Sequence, residues 1–338
     1  MKTITLEQPG HFTLGETESP TLSSAEEALV RVRRVGVCGT DLHAYQGNQP
    51  FFTYPRILGH ELGVEIVEVG PNEAGLQPGD RCAVEPYLNC GECIACRRGK
   101  TNCCVRLQVL GVHTDGGMRE LIRVPVRKLH KSSVLTLEQL ALVETLGIGA
   151  HAVDRAKLEP EEFALVIGAG PIGLSVIQFA QAAGAQVIVL DVNPRRLEFC
   201  RRQLNVAFTL RADENPLEQV KAITAGDMPT AVFDATGSAQ SMHNAFQYVA
   251  HGGRIVFVGL VQADISFHDP DLHRRELTIL ATRNSTGADF QRIISLLESG
   301  QVDTTPWITH RAACQEMIGQ FPRWLEPETG VIKAMVEF

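Results

Sequence analysis

From Phe163 to Leu190 the chain runs without a single charged side chain. A bilayer span is one use of such a run. Here, however, it is broken by Gly-Ala-Gly-Pro at 168–171 and flanked by Val/Ile/Leu segments of strand length. That describes a buried strand, a tight turn, a helix and a second strand. The turn reads G-x-G-x-x-G through Gly168, Gly170 and Gly173, with Pro171 and Ile172 between the last two. Gly168 permits the turn, Gly170 lets backbone approach a pyrophosphate, and Gly173 lets helix and strand pack closely. The helix start adds free N–H groups and a positive dipole end. Asp191 closes the second strand, 18 residues after Gly173, where a carboxylate accepts from ribose hydroxyls. The pattern predicts a dinucleotide site. Asp191 favours NAD over NADP, because a 2′-phosphate would meet like charge. Arg195 and Arg196 stand where either reaches a phosphate, and Arg196 counts among the expected cofactor contacts.

Strand and helix signals go on alternating through "QVIVLDV", "PRRLEFCRRQL", "AVFDATG", "SMHNAFQYVA" and "RIVFVGL". Such alternation implies a parallel sheet covered by helices on both faces. The region before it is different. "EALVRVRRVGVCG", "GVEIVEVG" and "DRCAVEPY" are β-segments separated by turn signals such as Pro-Gly-Asp. The expected fold class is therefore α/β, a mainly β domain joined to a doubly wound parallel sheet. Residues 1–145 and 285–338 form the first, with a helix "ADFQRIISLLESG" and a last strand "GVIKAMVEF". Residues 146–284 form the second. Lys and Arg total 31 against 39 Asp and Glu, a net −8, which gives no footprint for nucleic acid or an anionic membrane. No apolar core follows the lysine of "MKTITLEQPGHF", so no secretory signal is expected and the reading is cytoplasmic.

Five of the nine cysteines fall in "CGECIACRRGKTNCC". Cys90, Cys93, Cys96 and Cys104 have the spacing C-x2-C-x2-C-x7-C, and four thiolates close a tetrahedral shell around one zinc ion. A closed shell leaves no position for substrate, so this zinc is structural, in a lobe spanning about 88–106. Disulfides are disfavoured in a reducing compartment. An iron–sulfur cluster also takes four cysteines, and spacing alone does not exclude it. Cys103 reads as a spare buried thiol.

A reacting metal needs ligands elsewhere. "GVCGTDLHAY" offers Cys38, and "PRILGHELG" offers His60 and Glu61. With "PGDRCAVEP", the cysteine lobe and "GAGPIG", these motifs resemble, in order and over essentially the whole length, the zinc-dependent medium-chain alcohol and polyol dehydrogenases. The resemblance implies a GroES-like catalytic domain beside a Rossmann domain. It also implies two zinc ions per subunit, NAD, and a homodimer or homotetramer. Cys38 and His60 become catalytic-zinc ligands, and Glu61 and Glu144 match the acidic positions of the polyol and threonine branch. "VETLG" departs from the Glu-Pro common at Glu144.

Further implications follow from the same likeness. Thr40 and His43 match a relay carrying the hydroxyl proton outward; apart from the likeness, Asp41 reads either as a residue that orients a ligand or as a helix cap. Thr236 in "DATG" and Val258, Gly259 and Leu260 in "VGL" match segments beside the nicotinamide. Lys333 matches a basic pyrophosphate contact. "GNQPFFTYPRILGHE", "KTNCCVRLQVLGVHTDGG" and "HGGRIVFVGL" are similar to the sugar-acid branch. This makes an aldonate the expected substrate, with a neutral polyol or L-threonine as alternatives, and His113 and Arg283 as basic groups for its carboxylate. A non-catalytic NAD-binding regulator would lack Cys38 or His60, and a zinc-independent reductase would lack the lobe.

Overall fold

A computed structural model describes residues 1–50 and 52–338; Phe51, inside the "GNQPFFTYPRILGHE" stretch, lies outside them. The chain divides into two compact units, one of Met1–Thr145 with Ser285–Phe338 and one of Leu146–Asn284.

In the second unit the apolar runs become six parallel strands. Their order is Phe208–Arg211, Gln186–Asp191, Phe163–Ile167, Ala231–Asp234, Arg254–Phe257 and Thr278–Ala281. The chain builds outward from the third of these, then returns to its other flank. That makes the carboxyl ends of Phe163–Ile167 and Ala231–Asp234 the place where strand order reverses, the usual position for a ligand crevice. Leu165, Ile188, Val232 and Ile255 are fully buried, so the strands read as continuous apolar runs rather than alternating ones. The charge-free segment is strand, turn and the helix Pro171–Ala182, as its punctuation predicts.

The first unit is built on a seven-stranded mixed sheet. Its main path runs Ile308–Ala313, Lys333–Glu337, Glu27–Val37, Glu61–Val69, Arg81–Val84 and Leu129–Lys131, with Leu121–Pro125 also pairing to Glu27–Val37. Alternate residues Val30, Val32, Leu62, Val64 and Ile66 enter its core. Register decides what the sheet positions. Gly36 pairs with Glu61, and Val37 pairs with Ala334. The end of one strand, the start of a second and the start of a third therefore meet, bringing Cys38, Glu61 and Lys333 together across almost the whole sequence.

Candidate metal and dinucleotide sites

Cys38 is the N-cap of the helix Gly39–Gln46, and Asp41 in its first turn accepts from the Cys38 N–H at 2.9 Å. This reciprocal cap fixes the cysteine where the strand ends. His60 and Glu61 stand at the start of the facing strand, 5% and 0% exposed. The sulfur, imidazole and carboxylate ligand atoms lie within 4.8 Å of one another. Gly36 is needed beside them, because a Cβ there would come within 2.0 Å of Glu61 Oε2.

The charge balance of this pocket calls for a cation. Asp41, Glu61 and Glu144 are all buried, and among the described residues a single buried lysine, Lys333, bonds to one of them. Burial works against a charged His60 ring, but Asp41 and Cys38 outweigh it and hold its pKa well above the usual range. A site that draws a proton onto a buried imidazole suits a divalent metal, and thiolate, imidazole and carboxylate are a zinc donor set.

Lys333 requires a correction. Its side chain is 1% exposed, and Nζ donates to Glu61 Oε1 at 2.6 Å, to Oε2 at 2.8 Å and to the Val37 carbonyl at 3.2 Å. All three ammonium donors are spent inside the first unit, so Lys333 is the counter-charge of Glu61 rather than a pyrophosphate contact. Burial opposes its charge, yet Glu61 raises its pKa overall. Glu144 is also buried, but its Oε1 accepts from the Tyr87 hydroxyl, which leaves it outside the three-atom group. Burial raises the Glu144 pKa, against the pull of His60. Neither Tyr87 nor Gly36 is foreseen by the sequence reading. "EPYLNC" offers only the proximity of Tyr87 to the cysteine lobe as a signal.

Thr40 and His43 are three residues apart on the helix Gly39–Gln46, hence on one face. Thr40 is half-buried and His43 exposed, with Nδ1 3.0 Å from Asn48 Oδ1. His113 is exposed, and its Nδ1 accepts from the Val109 N–H at 3.1 Å. Arg283 is exposed in the second unit.

In the lobe, the four sulfurs of Cys90, Cys93, Cys96 and Cys104 also lie within 4.8 Å of one another. Cys93 and Cys96 are 3.5 Å apart and Cys90 and Cys96 4.0 Å. A tetrahedral shell with Zn–S near 2.3 Å separates its sulfurs by about 3.8 Å, while a disulfide needs about 2 Å. All nine cysteines are free, and Cys103, expected to be buried, is exposed at the tight turn Thr101–Cys103. The Arg106 side chain beside Cys90 helps bring its thiol down to about 6, towards the thiolate a metal needs.

The glycine turn of the second unit has the packing its spacing predicts. A Cβ on Gly173 would fall 1.8 Å from the Gly168 carbonyl oxygen. Gly170 caps the helix Pro171–Ala182 with no side chain over its N–H groups, leaving them for an anion. A Cβ at Gly170 would have only Arg196 Nη1 nearby, at 3.6 Å. Asp191 Oδ2 accepts from Ala169 N–H at 2.6 Å and Oδ1 from Asn193 N–H at 2.7 Å. The acid therefore fixes the glycine turn to the neighbouring strand and keeps lone pairs for ribose hydroxyls.

Comparison with known proteins agrees with this geometry. Residues 24–134 match the alcohol dehydrogenase GroES-like domain, and residues 171–299 match zinc-binding dehydrogenase. L-galactonate-5-dehydrogenase of Escherichia coli K12 is 39% identical over 338 residues, covering 100% of this chain and 99% of that protein. Sorbitol dehydrogenase of Bacillus subtilis is 32% identical, covering 92% of this chain and 90% of its own length. The crystal structure of the alcohol dehydrogenase RspB from Escherichia coli CFT073, complexed with NADH, superposes with a TM-score of 0.92 at 30% identity. It covers 100% of this chain and 99% of its own.

Proposed function

The chain belongs to the zinc-binding alcohol dehydrogenase family, and from that premise we propose that it oxidises a secondary hydroxyl of a sugar acid with NAD. The observation that carries the substrate class is the 39% identity, over the full length, to an L-galactonate-5-dehydrogenase.

Cys38, His60 and Glu61 hold the catalytic zinc, and Cys90, Cys93, Cys96 and Cys104 hold a structural one. The catalytic zinc supplies Lewis acidity towards the substrate hydroxyl, and NAD supplies the hydride acceptor. The chain's own groups do the rest. Asp41 keeps Cys38 at the helix start, and Lys333 orients Glu61. Glu144, held by Tyr87, is an exchanging carboxylate rather than a permanent ligand. Thr40 accepts the hydroxyl proton and the exposed His43 passes it to solvent. The glycine turn takes the pyrophosphate and Asp191 the adenosine ribose, with Arg196 beside Gly170. His113 and Arg283 are the groups proposed to meet the substrate carboxylate.

The subunit associates with copies of itself. The strand Thr278–Ala281 ends the parallel sheet with one paired neighbour, exposes Ile279, and leaves a row of backbone groups for a second chain. Among the described residues no helix is long and apolar enough to cross a membrane. Nine free thiols suit a reducing cytoplasm.

The test is a substrate screen with NAD, following NADH absorbance, across aldonates, uronates, neutral polyols and L-threonine. Turnover concentrated in an aldonate supports the reading. Robust turnover of sorbitol or L-threonine with aldonates inert would remove the sugar-acid assignment and leave the family intact.

A further inference from the structure

Asp234 is a fully buried carboxylate for which hydride transfer has no direct use. It is the last residue of the strand Ala231–Asp234, on the opposite flank of Phe163–Ile167 from Asp191. The glycine turn sits above the central strand and the adenosine acid above one neighbour. A dinucleotide laid across this reversal of strand order therefore extends its second nucleotide over the ends of Ala231–Asp234 and Arg254–Phe257.

At that end Asp234 makes five hydrogen bonds. Oδ1 accepts from the Thr236 N–H at 3.0 Å and its hydroxyl at 2.7 Å, and Oδ2 accepts from the Ser241 hydroxyl. Its carbonyl oxygen accepts from Val258 N–H at 2.9 Å and Gly259 N–H at 3.0 Å. The carboxylate thus closes the loop 235–238 onto the helix Ala239–Ala245, while the backbone ties in the loop after Arg254–Phe257. The two loops touch directly, since a Cβ on Gly259 would fall 2.5 Å from the Gly237 nitrogen.

We propose that Asp234 is a positioning residue for the nicotinamide half of the cofactor, locking together the two loops that carry Thr236 and Val258–Leu260. The proposal rests on the NAD reading above. The side-chain bonds of Asp234 hold the loop 235–238 and its main-chain carbonyl holds the loop after Arg254–Phe257, so the two keep a single arrangement before the cofactor arrives and binding incurs little ordering cost. Asp234 itself reaches no reacting atom.

Two ligands isolate the effect. ADP-ribose carries the adenosine and pyrophosphate parts, and NADH adds the nicotinamide. In the zinc-loaded protein Asp234→Ala is expected to weaken NADH at least about tenfold, the size of a lost charge-assisted bond, and ADP-ribose by less than about twofold. Asp234→Asn, which still accepts from Thr236 and can donate to Ser241, should recover most of the loss. Should Asp234→Ala fail to fold, Ser241→Ala removes one donor and leaves the carboxylate. It is expected to cost NADH about threefold with ADP-ribose unchanged. Equal losses on both ligands, or unchanged NADH affinity, would overturn the proposal. Wild-type protein that binds ADP-ribose but not NADH would instead sink the NAD reading.

Discussion

Lys333 and Glu61 show how one buried contact changes the meaning of a residue. In the sequence, a lysine before "AMVEF" resembles a phosphate contact, because nothing local says that its strand pairs with the one ending at Cys38. The pairing is a long-range fact, so it is hidden from spacing. Its consequence is measurable. In the metal-free protein Lys333→Met leaves Glu61 buried and unpaired, a change that costs about 3–5 kcal/mol, and denaturant titration of the metal-free protein should register a loss of that order. Removing a ligand acts differently. Cys38→Ser or His60→Ala should abolish turnover and release the catalytic zinc while NADH titration stays near wild type, because every residue assigned to the nucleotide lies in the other unit. Near-normal turnover in either variant would exclude the three-ligand centre. Cys38, His60 and Glu61 were legible in the sequence because their motifs are local. Tyr87 and Gly36 were not, since each matters only for what it meets, Glu144 in one case and Glu61 in the other.

Elements were more legible than contacts, and the reason is periodicity. The helix Gly287–Glu298 and the strands at 163–167 and 186–191 follow from apolar spacing and turn residues that need no tertiary information. The cysteine lobe is the opposite kind of element. Its regular structure is a four-residue helix, Ile94–Arg97, and a single tight turn at Thr101–Cys103. Ile94 is 57% exposed and Val105 73%, so apolar burial does little to hold it. The metal must supply that order, which makes binding free energy folding free energy. Cys93→Ser should therefore lower the melting temperature and remove one zinc, with NADH affinity retained. An unchanged melting temperature with both metals present would rule out a structural shell at these four cysteines.

At the scale of the whole molecule, the two kinds of chemistry are divided between units that the chain enters and leaves at Thr145 and Asn284. All seven residues proposed to bind zinc belong to the first unit, and the glycine turn with Asp191 belongs to the second. The change from β-segments to alternating strand and helix gave that division away in the sequence. The two metal sites differ in closure as well. Three protein ligands at Cys38, His60 and Glu61 would leave a position open to solvent species, whereas four thiolates at the lobe would leave none. An open site exchanges its metal through that free position, so a chelator should strip the two zincs in sequence. Graded treatment should first abolish turnover with one zinc lost, the melting temperature nearly unchanged and NADH still bound. Only on longer exposure should the second zinc leave and the melting temperature fall. Metal analysis, rate, calorimetry and NADH titration on the same time points would follow both stages. Loss of stability before loss of activity would reverse the assignment of the two sites.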